Sequence, residues 1–126
     1  PAPLRSAMKY VLGIYETAEG FASRQGEASE RYWAGWAAYS KALHDAGVIV
    51  DGAALQPPST ATVVRVNGDA RTIQDGPYAD TKEQLGGFIV LDVPTLEDAL
   101  AWAARAPAAS SGAVEVRPVL QLGVPA

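Results

Sequence analysis

The 126 residues carry ten Lys and Arg against fourteen Asp and Glu, a net charge of -4, with 48% hydrophobic and 19% charged residues. That is one domain's length, enough to hide roughly two-thirds of the unfolded surface, and no basic stripe is present to grip phosphates, so no nucleic-acid partner is expected. There is no Cys for disulfides or thiolate ligands, no apolar run near the roughly 20 residues of a membrane span and no signal-peptide pattern, so a cytoplasmic protein with no membrane, metal or cofactor is expected.

Residues 1–7 lack periodicity and precede Met8, the one methionine. They are expected to be a disordered arm or a remnant outside a single domain spanning 8–120, with 121–126 as a tail. Tyr10-Val11-Leu12-Gly13-Ile14-Tyr15 is short, apolar and β-favouring, as a buried strand is. Residues 16–28 are polar, carry Gly20 and Gly26, and predict a loop with room for a short helical turn. Ser29 then offers an N-cap hydroxyl and Glu30 suits the positive helix end, so a helix is predicted over 30–46. Tyr32, Trp36, Tyr39, Leu43 and Ala46 form one stripe on it, and Gly47 supplies a left-handed stop.

A strand is predicted from 48 toward 55, ending before Pro57-Pro58. Residues 62–66 and 70–73 flank Asn67-Gly68, which predicts a hairpin with a type I′ turn. Asp75-Gly76-Pro77 breaks the pairing, and 88–93 is apolar enough for a central strand. Thr95 and Asp98 make a capping box for a second helix running to about 106. Its stripe is Leu96, Ala99, Leu100 and Ala103 with Trp102 at the flank, and Pro107 ends it. After a Ser-rich turn, Val114-Glu115-Val116-Arg117 alternates as a strand with one wet face. The order predicts an α+β fold, a ferredoxin-like βαββαβ with an inserted β-hairpin and two helices on one face of the sheet.

His44 is the one histidine. It falls in the last turn of the first helix, off the stripe, where it is expected to sit in solvent and be dispensable. No nucleophile elbow accompanies it, which excludes a Ser-His-Asp site. Gly86-Gly87 precedes a strand without a phosphate-loop pattern and predicts close backbone packing. The segment 75–88 is different: two aspartates, a glutamate, a lysine, a phenol and an amide lie between a hairpin and a central strand. Such groups either converge on a cleft or build an elaborate turn.

The run Asp75-Gly76-Pro77-Tyr78-Ala79-Asp80-Thr81-Lys82-Glu83-Gln84-Leu85-Gly86-Gly87 resembles the D-G-P-[FY]-A-E-T-K-E-Q-L-G-G signature of the DGPF branch of the YCII-related family. The likeness extends to Met8-Lys9-Tyr10, to Gly47 with Leu55-Gln56-Pro57-Pro58 and Thr60-Ala61-Thr62, and to Val114-Glu115-Val116-Arg117-Pro118. It implies a dimeric α+β barrel in which two sheets pack face to face. The founding branch carries a histidine on the first helix and an aspartate before the last strand, proposed as an acid-base pair, and some relatives remove halide from chlorinated aromatic compounds. Here Trp36 and Ala106-Pro107 stand at those places. Genes of the DGPF branch often lie beside extracytoplasmic-function sigma factors, which implies a regulatory association.

The function expected is small-molecule binding by a homodimer, with the ligand held by Asp75, Tyr78, Asp80 and Lys82, by Arg117 from the last strand, and by Trp33 or Trp36 as an apolar wall. Val114 and Val116 are expected on the dimer face. The alternatives are a cofactor-independent lyase, isomerase or dehalogenase-like enzyme acting on a small polar aromatic or carboxylated substrate, with Asp75 or Asp80 as base and Lys82 or Tyr78 steadying an enolate, and a partner of a sigma factor.

Overall fold

The computed structural model describes residues 8–122; the expected arm 1–7 and the tail positions 123–126 lie outside the described residues. Strand β1 (Met8–Glu16) turns Tyr10, Leu12, Ile14 and Glu16 inward, all at most 4% exposed. It sits inside a four-stranded antiparallel sheet of order β2-β5-β1-β6, formed with β2 (Ile49–Ala54), β5 (Gln84–Val93) and β6 (Ala113–Pro118). Leu12 stands opposite Ile89 on one side and Val116 on the other. This mixed α+β arrangement is compatible with the expected ferredoxin-like order, and the inserted hairpin is present as β3 (Thr62–Asn67) and β4 (Ala70–Asp75).

The stretch 16–28 holds α1 (Ala18–Ala22), capped by the Thr17 hydroxyl accepting from the Gly20 amide at 3.2 Å, and a 3-10 turn at Gly26–Ala28. Helix α2 (Ser29–Ala46) begins one residue earlier than predicted. Ser29 is its first helical residue, not its cap, because its hydroxyl donates back to the Gly26 carbonyl at 2.9 Å. Gly47 closes α2 at φ 71°, the left-handed stop expected of it. Tyr39 and Leu43 of the predicted stripe are buried, whereas Ala46 is exposed.

Helix α3 (Leu96–Arg105) is capped by Thr95, whose oxygen accepts from the Asp98 amide at 3.1 Å while its hydroxyl donates to the Asp98 carboxylate at 2.9 Å. Ala99 and Ala103 are its buried positions, and Leu96 and Leu100 stay largely in solvent, so small residues rather than leucines let α3 approach the sheet. A short helix α4 (Ala108–Ser111) replaces the expected Ser-rich turn. Tyr39 joins the two main helices, donating its hydroxyl to the Trp102 carbonyl at 2.8 Å. Burial pushes this phenol up to about 12.

Two register details differ from expectation. The hairpin connects through Gly68 and Asp69, with Asn67 already paired to Ala70, and only Gly68 has positive φ, at 64°. That is the pattern of a type II′ turn, which asks for glycine at the first connecting position. In β6, Val114 and Val116 pack against the core under the helices, so they are not on the open face. The open face carries Val11 opposite Val90, and Phe88 opposite Gly13 and Ala53.

Candidate functional site

A cavity of about 570 Å³ is bordered by helix α2, by β2, which is an edge strand of the sheet, and by β5. Its helix wall is Tyr32, Trp33, Trp36, Ser40 and His44; Ile14, Ile49 and Ile89 supply aliphatic surface from the strands. Small residues create the room. A Cβ on Gly52 would stand 3.0 Å from the Phe88 carbonyl oxygen, and one on Gly87 would stand 2.8 Å from that of Ala53, so glycine at both lets β2 and β5 close without side chains filling the space.

One end of the cavity is polar. Glu16 continues the inward alternation of β1, so its carboxylate is only 4% exposed and requires partners. Arg24, 11% exposed, donates Nη2 to Glu16 Oε1 at 2.9 Å and to the Gly86 carbonyl at 3.0 Å, Nε to the Tyr32 hydroxyl at 3.2 Å, and Nη1 to the Leu55 carbonyl. The Tyr32 hydroxyl in turn donates to Glu16 Oε2. Burial, with the Glu16 bond second, raises the Tyr32 phenol above its ordinary value, so it is a neutral donor. Arg24 lies against the rings of Phe21 at 4.8 Å and Trp33 at 5.8 Å. Gly86 belongs to this construction, because a Cβ there would meet Arg24 Nη2 at 2.9 Å and Glu16 Oε1 at 3.0 Å. Gly86 and Gly87 thus serve close packing, as their place before a strand predicts.

His44 lies twelve residues along α2 from Tyr32, about 18 Å in helix rise. It is exposed, as expected, yet the residue borders the cavity, with Nδ1 2.9 Å from the Ser40 carbonyl. That contact makes Nδ1 the protonated nitrogen in the neutral ring.

The residues singled out from the sequence sit elsewhere. Tyr78 is 79% exposed and borders a second, smaller pocket of about 480 Å³ with Leu55, Pro57 and Pro77, and Arg65 lies 5.5 Å from its ring. Asp75 ends β4 opposite Thr62; Asp80 and Lys82 are exposed and do not border either pocket. Arg117 lies on β6 opposite Val11 and pairs with Glu115 at 2.9 Å in solvent. Trp33 and Trp36 wall the α2 cavity, not the pocket of Tyr78. The loop holds itself: Gln84 Nε2 donates to the carbonyls of Ala79 at 2.8 Å and Thr81 at 3.0 Å, and the Gly76 amide to that of Ala61 at 2.7 Å. Glu16, Arg24 and Tyr32 were not singled out. The signal available was parity: a glutamate in phase with Tyr10, Leu12 and Ile14 faces inward and demands a cation.

Comparison with known proteins places these features in a family. The YCII-related domain matches residues 8–123. A Rhizobium meliloti (strain 1021) protein described as uncharacterized is 32% identical over 114 residues, which is 89% of this chain and 92% of that protein. The match takes in both strands and the helix that build the cavity, and the chain belongs to the YCII-related family.

Proposed function

We propose that this chain is a small-molecule-binding domain whose ligand lies in the cavity between α2, β2 and β5. The observation that carries the reading is the cavity itself: about 570 Å³, within the range of ligand sites, with aromatic walls and one polar end. Trp33 and Trp36 border it, so a bound aromatic molecule is expected to change tryptophan emission. Screening small aromatic compounds by that signal tests the reading. Ser40→Phe, which fills the cavity from a half-buried helix position, is expected to abolish any response while leaving the circular dichroism unchanged. A response that survives Ser40→Phe would move the site elsewhere.

A second reading keeps the loop 75–82 as the site, and Tyr78 on the wall of the 480 Å³ pocket favours it. There Thr81 and Gln84 border the pocket beside Tyr78, Asp75, Asp80 and Lys82 belong to the same exposed segment, and on this reading Lys82→Ala would weaken binding without lowering stability. The likeness of Asp75 to Gly87 to the DGPF signature supports membership of that branch, and with it a homodimer. Val11, Phe88 and Val90 on the sheet's open face support the dimer, since half-buried apolar side chains on an uncovered sheet favour a partner.

A further inference from the structure

The cavity borders a single Lys or Arg side chain among the described residues, Arg24, and that cation is already spent. A guanidinium has five N–H groups. Four of those on Arg24 go to Glu16, Tyr32, Gly86 and Leu55, and the charge is met by the Glu16 carboxylate at 2.9 Å. Asp51 also borders the cavity and accepts from the Gly52 amide through Oδ1 at 2.8 Å, but it is exposed and stands opposite Val90 of the open face. The other titratable residues bordering the cavity are Tyr32, Tyr39 and, at the far end of α2, His44.

We propose that Glu16 sets the charge specificity of this cavity: by neutralising Arg24 it makes the site select uncharged aromatic ligands and reject carboxylates. This rests on the cavity being the ligand site. A carboxylate entering would leave its hydration for a wall whose one Lys or Arg is already paired with Glu16, and an unpaired anion in such a place is disfavoured. An uncharged amide of the same shape loses much less. Glu16 acts through Arg24 as a positioning residue, since its own oxygens are covered by Arg24 and Tyr32. The converse follows. Glu16→Gln keeps an oxygen for Arg24 and an amide for the Tyr32 oxygen, yet releases the guanidinium charge to the cavity.

The test is isothermal titration with para-ethylbenzamide and para-ethylbenzoate, two probes of nearly equal shape that differ in charge. The parent protein is expected to bind the amide at least about tenfold more tightly than the carboxylate. In Glu16→Gln the carboxylate is expected to gain about tenfold while the amide changes less than about twofold, a reversal that loss of packing would not produce. Equal affinities in the parent, or no gain for the carboxylate in a folded Glu16→Gln, would overturn the inference and leave the cavity reading standing. If neither probe binds the parent and the tryptophan screen is also silent, the cavity reading itself falls. Should Glu16→Gln fail to fold, Ser40→Arg brings a cation to the same cavity from the helix side, and the absence of a carboxylate gain there would overturn the proposal equally.

Discussion

Among the ion pairs of the described residues, Arg24 and Glu16 form the one in which both side chains are largely buried. Removing one member of a buried pair strands the other charge away from water, which typically costs about 3–5 kcal/mol, whereas removing both is far milder. Arg24→Leu is therefore expected to lower stability by several times more than an exposed change such as Lys41→Ala, whose ion pair with Asp45 is solvated and contributes about 0.3–0.5 kcal/mol. Chemical denaturation of Arg24→Leu, Glu16→Leu and the double variant decides it: the double variant should be more stable than the sum of the single losses predicts. Titration of the phenols gives a second expectation. Tyr39 is raised to about 12 by burial, and Tyr32 is raised by burial and by Glu16, so both are neutral in the fold at pH values where unfolded tyrosine ionises near 10. The unfolded chain then binds fewer protons than the folded one, so this contribution is fully present below pH 10 and is lost as pH rises from 10 to about 12. Denaturant midpoints measured across that window should fall. Phenolate absorbance should show Tyr39 ionising well above the ordinary tyrosine value, and Tyr39→Phe should flatten the fall.

Elements were legible where a local rule and the tertiary environment agree, and illegible where a single buried group decides. Gly47 ends α2 and Thr95 begins α3 because backbone sterics and orphan amides act within a few residues. Thr95→Ala is expected to cost about 1 kcal/mol for the same reason. The hairpin was foreseen, but its turn was placed one residue early: Asn67-Gly68 suits a type I′ turn in isolation, and the pairing of Asn67 with Ala70 makes Gly68 the first connecting residue. Gly68→Val should destabilise the hairpin, because a β-branched side chain resists φ 64°. Asn67→Val, at a paired strand position, should not, and thermal melts of the two variants separate the registers. The α3 stripe was misjudged because leucine is the more apolar residue, while the sheet lies close enough that only Ala99 and Ala103 fit beneath the helix. The polar end of the cavity was missed for another reason. Residues 16–28 have no period to read, and Arg24 is assigned by contacts with Gly86 and Leu55, 62 and 31 residues away, which composition does not reveal. The loop 75–88 drew attention through its density of polar groups, yet density does not distinguish a ligand cleft from a turn that binds its own amides, as Gln84 does.

At the scale of the whole molecule, the two faces of the sheet have different fates. One is covered by α2 and α3 and contains the buried cluster of Tyr10, Leu12, Ile14, Leu91 and Val93. The other presents Val11, Phe88 and Val90 with no helix of the described residues over them, and Lys9, Asp92, Glu115 and Arg117 around them as a mixed-charge rim. An apolar centre ringed by both signs of charge is self-complementary, since a two-fold axis sets each patch against its own copy. This arrangement supports the proposed homodimer, which makes a specific expectation about Val90. This residue sits near the middle of the open face, opposite Val11 in β1 and Asp51 in β2, and half-buried even in the single chain. Val90→Lys would carry a charge into the centre of the interface while leaving the covered face untouched. Light scattering at micromolar concentration is expected to give twice the chain mass of 13.2 kDa for the parent and the single-chain mass for Val90→Lys. Because the α2 cavity opens on the helix side of the sheet, the monomeric variant should still respond to a ligand seated beside Trp36. A monomeric parent would refute the dimer outright. A monomeric Val90→Lys that had also lost the tryptophan response would show instead that the cavity depends on the partner chain for its shape.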